Sequence, residues 1–374
     1  VRRFEPVVVY SGSMLRLLVL LLCLLSVEPV AAGSAAAGVD APQARDNNPA
    51  REWTEWDGPV SGPAAQPGRS VWFLASDLRN GGVVGVYRGL AEAGRLLGWR
   101  LTLLDGQGQG SSLLRFLESA QRERPAAVAL GGFDAQEFRP QIERLRALGV
   151  TVLGWHAGDK PGPLPGLLFT NISTSPLAAA QAAADYIVAS SHGPVGVVLF
   201  TDSRFAIATA KTRQAVRQLQ ACRRCKVLAV EDLSLALVQQ QLPDKVTELY
   251  RRHGRAWTHS IGINDLYYDS IGHPLGKLNA FVANISLGDG SLSAMRRIRA
   301  GLMQEATIAE PLHLHGWQMA DELNRAFAGQ PPSLYVTQPH LLVRQTIRDS
   351  YLSIGYDPDN GYRRAYAAIW FPRH

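Results

Sequence analysis

The side chains best suited to chemistry sit where short apolar runs end. Residues 70–76 read SVWFLAS and lead straight into Asp77, Leu78, Arg79, Asn80, Gly81 and Gly82. Another run ends in Trp155-His156. Later runs end near Asp202, Asn264-Asp265 and Asp289, with Arg213 on the helix after the first of these and Glu310 closing a last short stretch. Carboxylates and Arg hold paired hydroxyls by charge-assisted hydrogen bonds. An indole face covers the apolar side of a sugar ring. The pattern therefore fits capture of a polyhydroxyl ligand. Each residue also has a plainer use: Asn80 and Asp265 as helix caps, Trp155 as core, His156 as a satisfied loop residue, Arg213 as surface charge. No activated nucleophile accompanies them. G-x-S-x-G is absent, so a hydrolase elbow is not supported. The GQGQG of 106–110 lacks the Gly-Lys-Ser/Thr ending of a phosphate loop, and a turn is favoured. His313, His315 and His340 have no Cys or carboxylate at ligand spacing. No catalytic residue, cofactor or metal is expected.

These clusters need a scaffold that brings them to one edge. Strands are expected at 70–76, 100–105, 126–131 and 150–155. Helical spacing lies between them, for example Val83, Val86, Tyr87 and Leu90 on one face. Such alternation implies right-handed crossovers and a parallel sheet, which binds ligands at the carboxyl ends of its strands. The PGPLP of 161–165 interrupts the pattern. An extended piece over 167–171 and an Ala-rich helix over 175–191 follow. Alternation then restarts, with strands at 195–201, 226–230, 258–263 and 279–286. The expected fold class is α/β, two Rossmann-like lobes with parallel sheets joined by a multi-strand hinge. The stretch 306–310 and a helix over 313–328 come late, which returns the chain to the first lobe. Lobe 1 is assigned 70–170 plus 311–335, and lobe 2 is assigned 171–310 plus 336–347. Residues 348–374 form an aromatic C-terminal extension, for which docking on the protein's own surface is favoured over docking on a partner.

The chain has 374 residues, enough for two cores. Its net charge of +6 is scattered, apart from Arg251, Arg252 and Arg255. A nucleic-acid binder concentrates its charge, and no helix-turn-helix precedes the first lobe, so no nucleic-acid partner is expected. Residues 14–32, MLRLLVLLLCLLSVEPVAA, carry a basic start, a short apolar core and small residues at a cleavage site. This reads as a secretory signal, too short for a membrane span, with an uncleaved anchor as the alternative. Residues 1–37 are assigned to leader and signal, with 1–13 upstream of Met14 read as translated leader. Residues 38–69 are assigned to an N-terminal linker. In an oxidising compartment Cys222 and Cys225, spaced C-R-R-C, favour a structural staple. A redox motif is the alternative, but it would open a helix where this pair closes one.

The motifs S-D-L-R-N (76–80), G-I-N-D (262–265), L-G-D-G (287–290) and A-G-L-M-Q-E-A-T-I-A-E (300–310) carry a resemblance. Over roughly 70–345 the chain resembles the type I periplasmic binding proteins, in particular the ribose- and galactose-binding branch of ABC-importer components. The resemblance implies sugar contacts from Asn80, Arg213, Asn264 and Asp289, and from Glu310 where the family usually has Gln. Asp77, Trp155 and His156 complete the candidate ligand set. Two departures stand out. The family's fourth strand usually ends in Asp-Arg, and here it ends in Trp155-His156. The family's paired aromatics after the first strand are replaced by Gly82 and Val83, so ring stacking is expected to fall to Trp155. The resemblance implies a periplasmic, non-enzymatic protein that closes over a sugar-like ligand and presents it to the membrane permease of an ABC importer. The alternative partner is a membrane sensor kinase or chemoreceptor.

Overall fold

The computed structural model describes residues 52–372. The signal at 14–32 and the leader before it lie outside the described residues. The first sheet draws on β1 (Ser70–Ala75), β2 (Arg100–Asp105), β3 (Ala127–Gly131), β4 (Thr151–Trp155), β5 (Gly162–Leu164) and β6 (Leu168–Ile172), in the order β2-β1-β3-β4-β6-β5. All pairings are parallel except β5 with β6. The PGPLP interruption is thus an edge hairpin, which its prolines tolerate because an edge strand need not donate on its outer side. Helices α1 (Gly81–Leu96), α2 (Gly110–Glu123) and α3 (Arg139–Ala147) make the crossovers.

The second sheet repeats this plan. Its strands are β7 (Val195–Thr201), β8 (Cys225–Asp232), β9 (His259–Gly262), β10 (Ala283–Ser286), β11 (Ala306–Ala309) and β12 (His340–Val343), in the order β12-β11-β10-β9-β7-β8. Only β12 is antiparallel to its neighbour. Helices α4 (Pro176–Ser190), α5 (Ala206–Ala221), α6 (Val238–His253), α7 (Tyr268–Lys277) and α8 (Leu292–Ala300) cover its faces. The central strand β7 is buried along its whole length, VGVVLFT, as a parallel strand covered on both faces must be. Each buried Val, Leu or Phe of this kind contributes roughly 1.5–3 kcal/mol.

The fold is therefore two α/β lobes. The chain crosses between them four times: at 173–175, at Glu310-Pro311, through 328–339, and through 355–361. The second crossing delivers α9 (Leu312–Phe327) to α1 of the first lobe. There the backbones nearly touch. A Cβ on Gly316 would lie 2.3 Å from Leu90 N, and one on Gly89 would lie 2.2 Å from His313 O.

The other sides of α9 are covered as well. Beyond α10 (Tyr351–Ile354), α11 (Tyr362–Trp370) brings Trp370 to stack on Trp317 at 5.4 Å between ring centroids, so the C-terminal aromatics dock on the protein itself. Residues 52–69 carry no helix or strand, yet they are pinned to α9. Asn324 donates to Pro63 O and accepts from Gln66 N, and Arg325 donates to Ser61 O. Cys222, the C-cap of α5, is disulfide-bonded to Cys225, the first residue of β8.

Candidate functional site

In each sheet the strand order reverses direction beside one strand, between β1 and β3 in the first and between β7 and β9 in the second. Such switch points open a crevice at the carboxyl ends of the strands. Both crevices face one cavity of about 130 Å³. From the first lobe come Ser76, Asp77 and Asn80 after β1, Phe133 after β3, Trp155 and His156 at β4, and Leu113 of α2. From the second come Arg204 and Phe205 after β7, Ile207, Ala208 and Lys211 of α5, Leu235, Ile263, Asn264, Leu266 and Asp289.

Six of the eight expected ligand residues line this cavity: Asp77, Asn80, Trp155, His156, Asn264 and Asp289. Most of them are already engaged. Asn80 caps α1, its Oδ1 accepting from Gly82 N at 2.9 Å. Asp77 pairs with Arg79. Asn264 accepts from Leu266 N through Oδ1 and donates to Asp289 Oδ2 through Nδ2 at 2.7 Å. Trp155 donates to His315 Nδ1 at 3.0 Å, and its ring is stacked on His156 at 4.0 Å. One of its faces is thus occupied by a protein side chain. His156 has φ 52°, a left-handed backbone uncommon for a residue with a Cβ. Its amide is held by Ile172 O.

Two expectations are corrected. Arg213 is exposed on α5 and does not line the cavity; the cations that the second lobe brings to it are Lys211 and Arg204. Helical residues turn about 100° each, so positions two apart face nearly opposite ways. The signal was present, since Lys211 falls on the buried stripe Ala208, Lys211, Ala215, Leu219. Glu310 is not a lining residue. It is fully buried behind the cavity, with both oxygens engaged: Oε1 accepts from Lys211 Nζ at 3.1 Å, and Oε2 faces His156 Nε2 at 2.9 Å. Thr174 N, on the first crossing, also donates to Oε2. Glu310 therefore joins two hinge crossings, β4 and α5 at one point.

Electrostatics follow from burial. Burial would raise the Glu310 carboxyl, but His156 and Lys211 outweigh it and hold the group well below the ordinary carboxylate range. Burial lowers His156 against the pull of Glu310. Burial also holds His315 down to about 3, which agrees with a neutral ring accepting from Trp155 and facing Thr337 Oγ1 at 2.7 Å. Asp289 is pushed up to about 7 by burial, with Glu310 and Asp265 adding to the effect and Lys211 opposing it. His156, Asp289 and Glu310 bring ligand-type atoms within 4.8 Å of one another. The Lys211 ammonium on Glu310 supplies a positive charge to that cluster from the chain itself.

Asp265 positions this end of the site. Its Oδ2 accepts from the backbone N–H of Asp289, Gly290 and Ser291 at 2.8–3.0 Å. It fixes the L-G-D-G turn and does not line the cavity. Asp202 plays the matching part after β7, accepting from Arg204 and from Leu235 N.

No protein-family model and no curated protein sequence matches the chain. Solved structures do match. GanP, a glucose-galactose binding protein from Geobacillus stearothermophilus, superposes with a TM-score of 0.66 at 14% identity, covering 75% of this chain and 99% of its own. A Caulobacter myo-inositol binding protein gives 0.64 at 17% identity, covering 79% and 99%. The XylFII-LytSN complex gives 0.63 at 12%, covering 75% and 99%. The fold is that of the type I periplasmic binding proteins. At these identities the likeness concerns the fold alone.

Proposed function

We propose that this protein is an exported solute-binding protein that captures a small hydroxylated ligand between its lobes and presents the closed form to a membrane partner. The observation that carries this reading is the cavity itself, formed by both lobes at both switch points. A ligand there is contacted fully only when the lobes are together, so binding shifts the population toward the closed form and performs no chemistry. The signal-like segment at 14–32 supports export to the periplasm. Among the described residues no helix is long and apolar enough to cross a membrane.

Delivery to the permease of an ABC importer is the favoured partner relation, because the matched solved structures include sugar ABC transporter binding proteins. Signalling through a membrane sensor is the second reading, favoured by the XylFII-LytSN complex, in which a protein of this fold is bound to another protein. A thermal-shift screen of the purified protein against sugars, polyols and small alcohols tests capture. A ligand that raises the melting temperature must also shrink the radius of gyration in X-ray scattering. Pull-down with the closed form from membranes, scored for permease or kinase, separates the two partners.

A further inference from the structure

We infer that the cleft selects a small amphipathic alcohol, with its hydroxyls at the Asp289–Lys211 end and its hydrocarbon part against Phe205, Ile207, Leu113 and Leu235, over a fully hydroxylated sugar. This names the ligand class and rests on the capture reading above.

The first reason is the wall. Leu113 and Phe133 of the first lobe face Phe205, Ile207, Leu235 and Leu266 of the second. Phe205 packs against the apolar clusters of both lobes, so the seam that closes over the ligand is itself hydrocarbon. A sugar hydroxyl pressed on such a wall loses water and gains no partner. Burial of an unpaired hydroxyl costs about 1–3 kcal/mol.

The second reason is the supply of partners. Both ends of the Asn264 amide, both oxygens of Glu310 and the Asn80 Oδ1 are spent inside the protein. Arg204 is bound to Asp202 and Ser234, and Arg213 is elsewhere. Among the described residues Asp289 Oδ1 has no hydrogen-bond partner, and Lys211 uses two of its three N–H groups, on Leu287 O and Glu310. Ser76 Oγ and Asn80 Nδ2 of the first lobe also line the cavity without a partner among the described residues, so the free groups are few, and Asp289 with Lys211 is the pair that suits one or two hydroxyls. Asp289 there is a carboxyl whose ionisation burial opposes, which favours a neutral ligand that shares a hydrogen bond.

The test compares two compounds with the same six-membered carbon ring. Tryptophan fluorescence and calorimetry are used to titrate the purified protein with cis-1,2-cyclohexanediol and with myo-inositol, which adds four hydroxyls. The diol is expected to bind at least about tenfold more tightly. Leu235→Gln should weaken the diol about tenfold and leave the melting temperature in place, and Phe205→Gln serves if that variant does not fold. Equal or tighter binding of myo-inositol, or of D-ribose or D-galactose run alongside, overturns this ligand class and leaves capture standing. Absence of binding by every compound, with no compaction, removes the capture reading and this inference together.

Discussion

The carboxylate of Asp289 lies directly over Gly82: a Cβ on the glycine would fall 2.1 Å from Asp289 Oδ2 and 2.5 Å from its Cγ. Gly82 lies in the first turn of α1 of one lobe, and Asp289 sits on the turn that leads into α8 of the other. Gly81 meets Ser291 in the same way, at 2.8 Å. The lobes are in contact here, and the absence of two side chains permits it.

Gly82→Ala therefore acts as a wedge. Alanine favours a helix over glycine by about 1 kcal/mol, so the variant should melt no lower than the parent. The prediction is an enlarged radius of gyration and loss of ligand-induced compaction in X-ray scattering. A variant that compacts normally would show that this contact does not control closure.

Lys211→Met removes the cation from a buried pair. Glu310 then keeps only His156 and one weak backbone donor. Breaking one partner of such a pair costs roughly 3–5 kcal/mol, whereas replacing both by apolar groups is close to neutral. Urea unfolding should show a large loss for Lys211→Met and substantial recovery in Lys211→Met/Glu310→Leu. No recovery would mean that Lys211 acts through something other than Glu310.

Arg213→Ala makes the complementary case. Exposed substitutions of this kind stay within about 0.5 kcal/mol, so ligand affinity should move by less than about threefold. A large loss measured by calorimetry would return Arg213 to the site and undo the Lys211 assignment.

Asp289 predicts a pH dependence. Its folded value is about 7 against an ordinary 3.8, so between those values the native protein holds a proton that the unfolded chain has released. Its contribution to stability is full below the ordinary value and is lost as pH rises through about 7, with a slope of up to about 1.4 kcal/mol per pH unit. Glu322, also raised to about 7 by burial, adds a loss of the same sign. His315, held to about 3, works oppositely: its contribution is lost as pH falls below its ordinary 6.5 toward 3. Asp289→Asn should therefore gain on the parent between pH 5 and pH 8 in urea midpoints. Parallel curves for the two proteins would show that Asp289 does not titrate in that window.

Trp370→Ala tests the docked C-terminal helix. The indole is buried against Trp317, and its N–H donates to Asp321 Oδ1 at 2.9 Å. Large-to-small changes of buried aromatics cost about 3–5 kcal/mol. Calorimetric melting should show a loss of that order, and an unchanged melting temperature would mean that α11 is not part of the lobe's core.

Much of this architecture was legible in the sequence, because strand and helix periods are set by local geometry. The strand expected at 70–76 is Ser70–Ala75, and the helix expected at 206–221 is Ala206–Ala221. Return of the chain to the first lobe followed from the lateness of α9. The site was less legible for a physical reason. Asn264, Asp265 and Asn80 are ligand-type residues in sequence, and only their neighbours reveal that Leu266 N, the turn after Gly288 and Gly82 N already use them. Likewise, 52–69 has no periodicity because it is held by single side chains of α9, chiefly Asn324 and Arg325. A pattern search has nothing to find in a segment that another element's amides and guanidinium tie down.

The segment 52–69 and α11 both clasp α9, and each also reaches the second lobe. Trp53 stacks on His340 of β12 at 5.9 Å between ring centroids, and Tyr356 N, just before α11, donates to Gly290 O. These two straps span the gap between the halves, so a swing of lobe 2 must stretch or shift them. A fluorescent label near Trp53 would therefore report the swing.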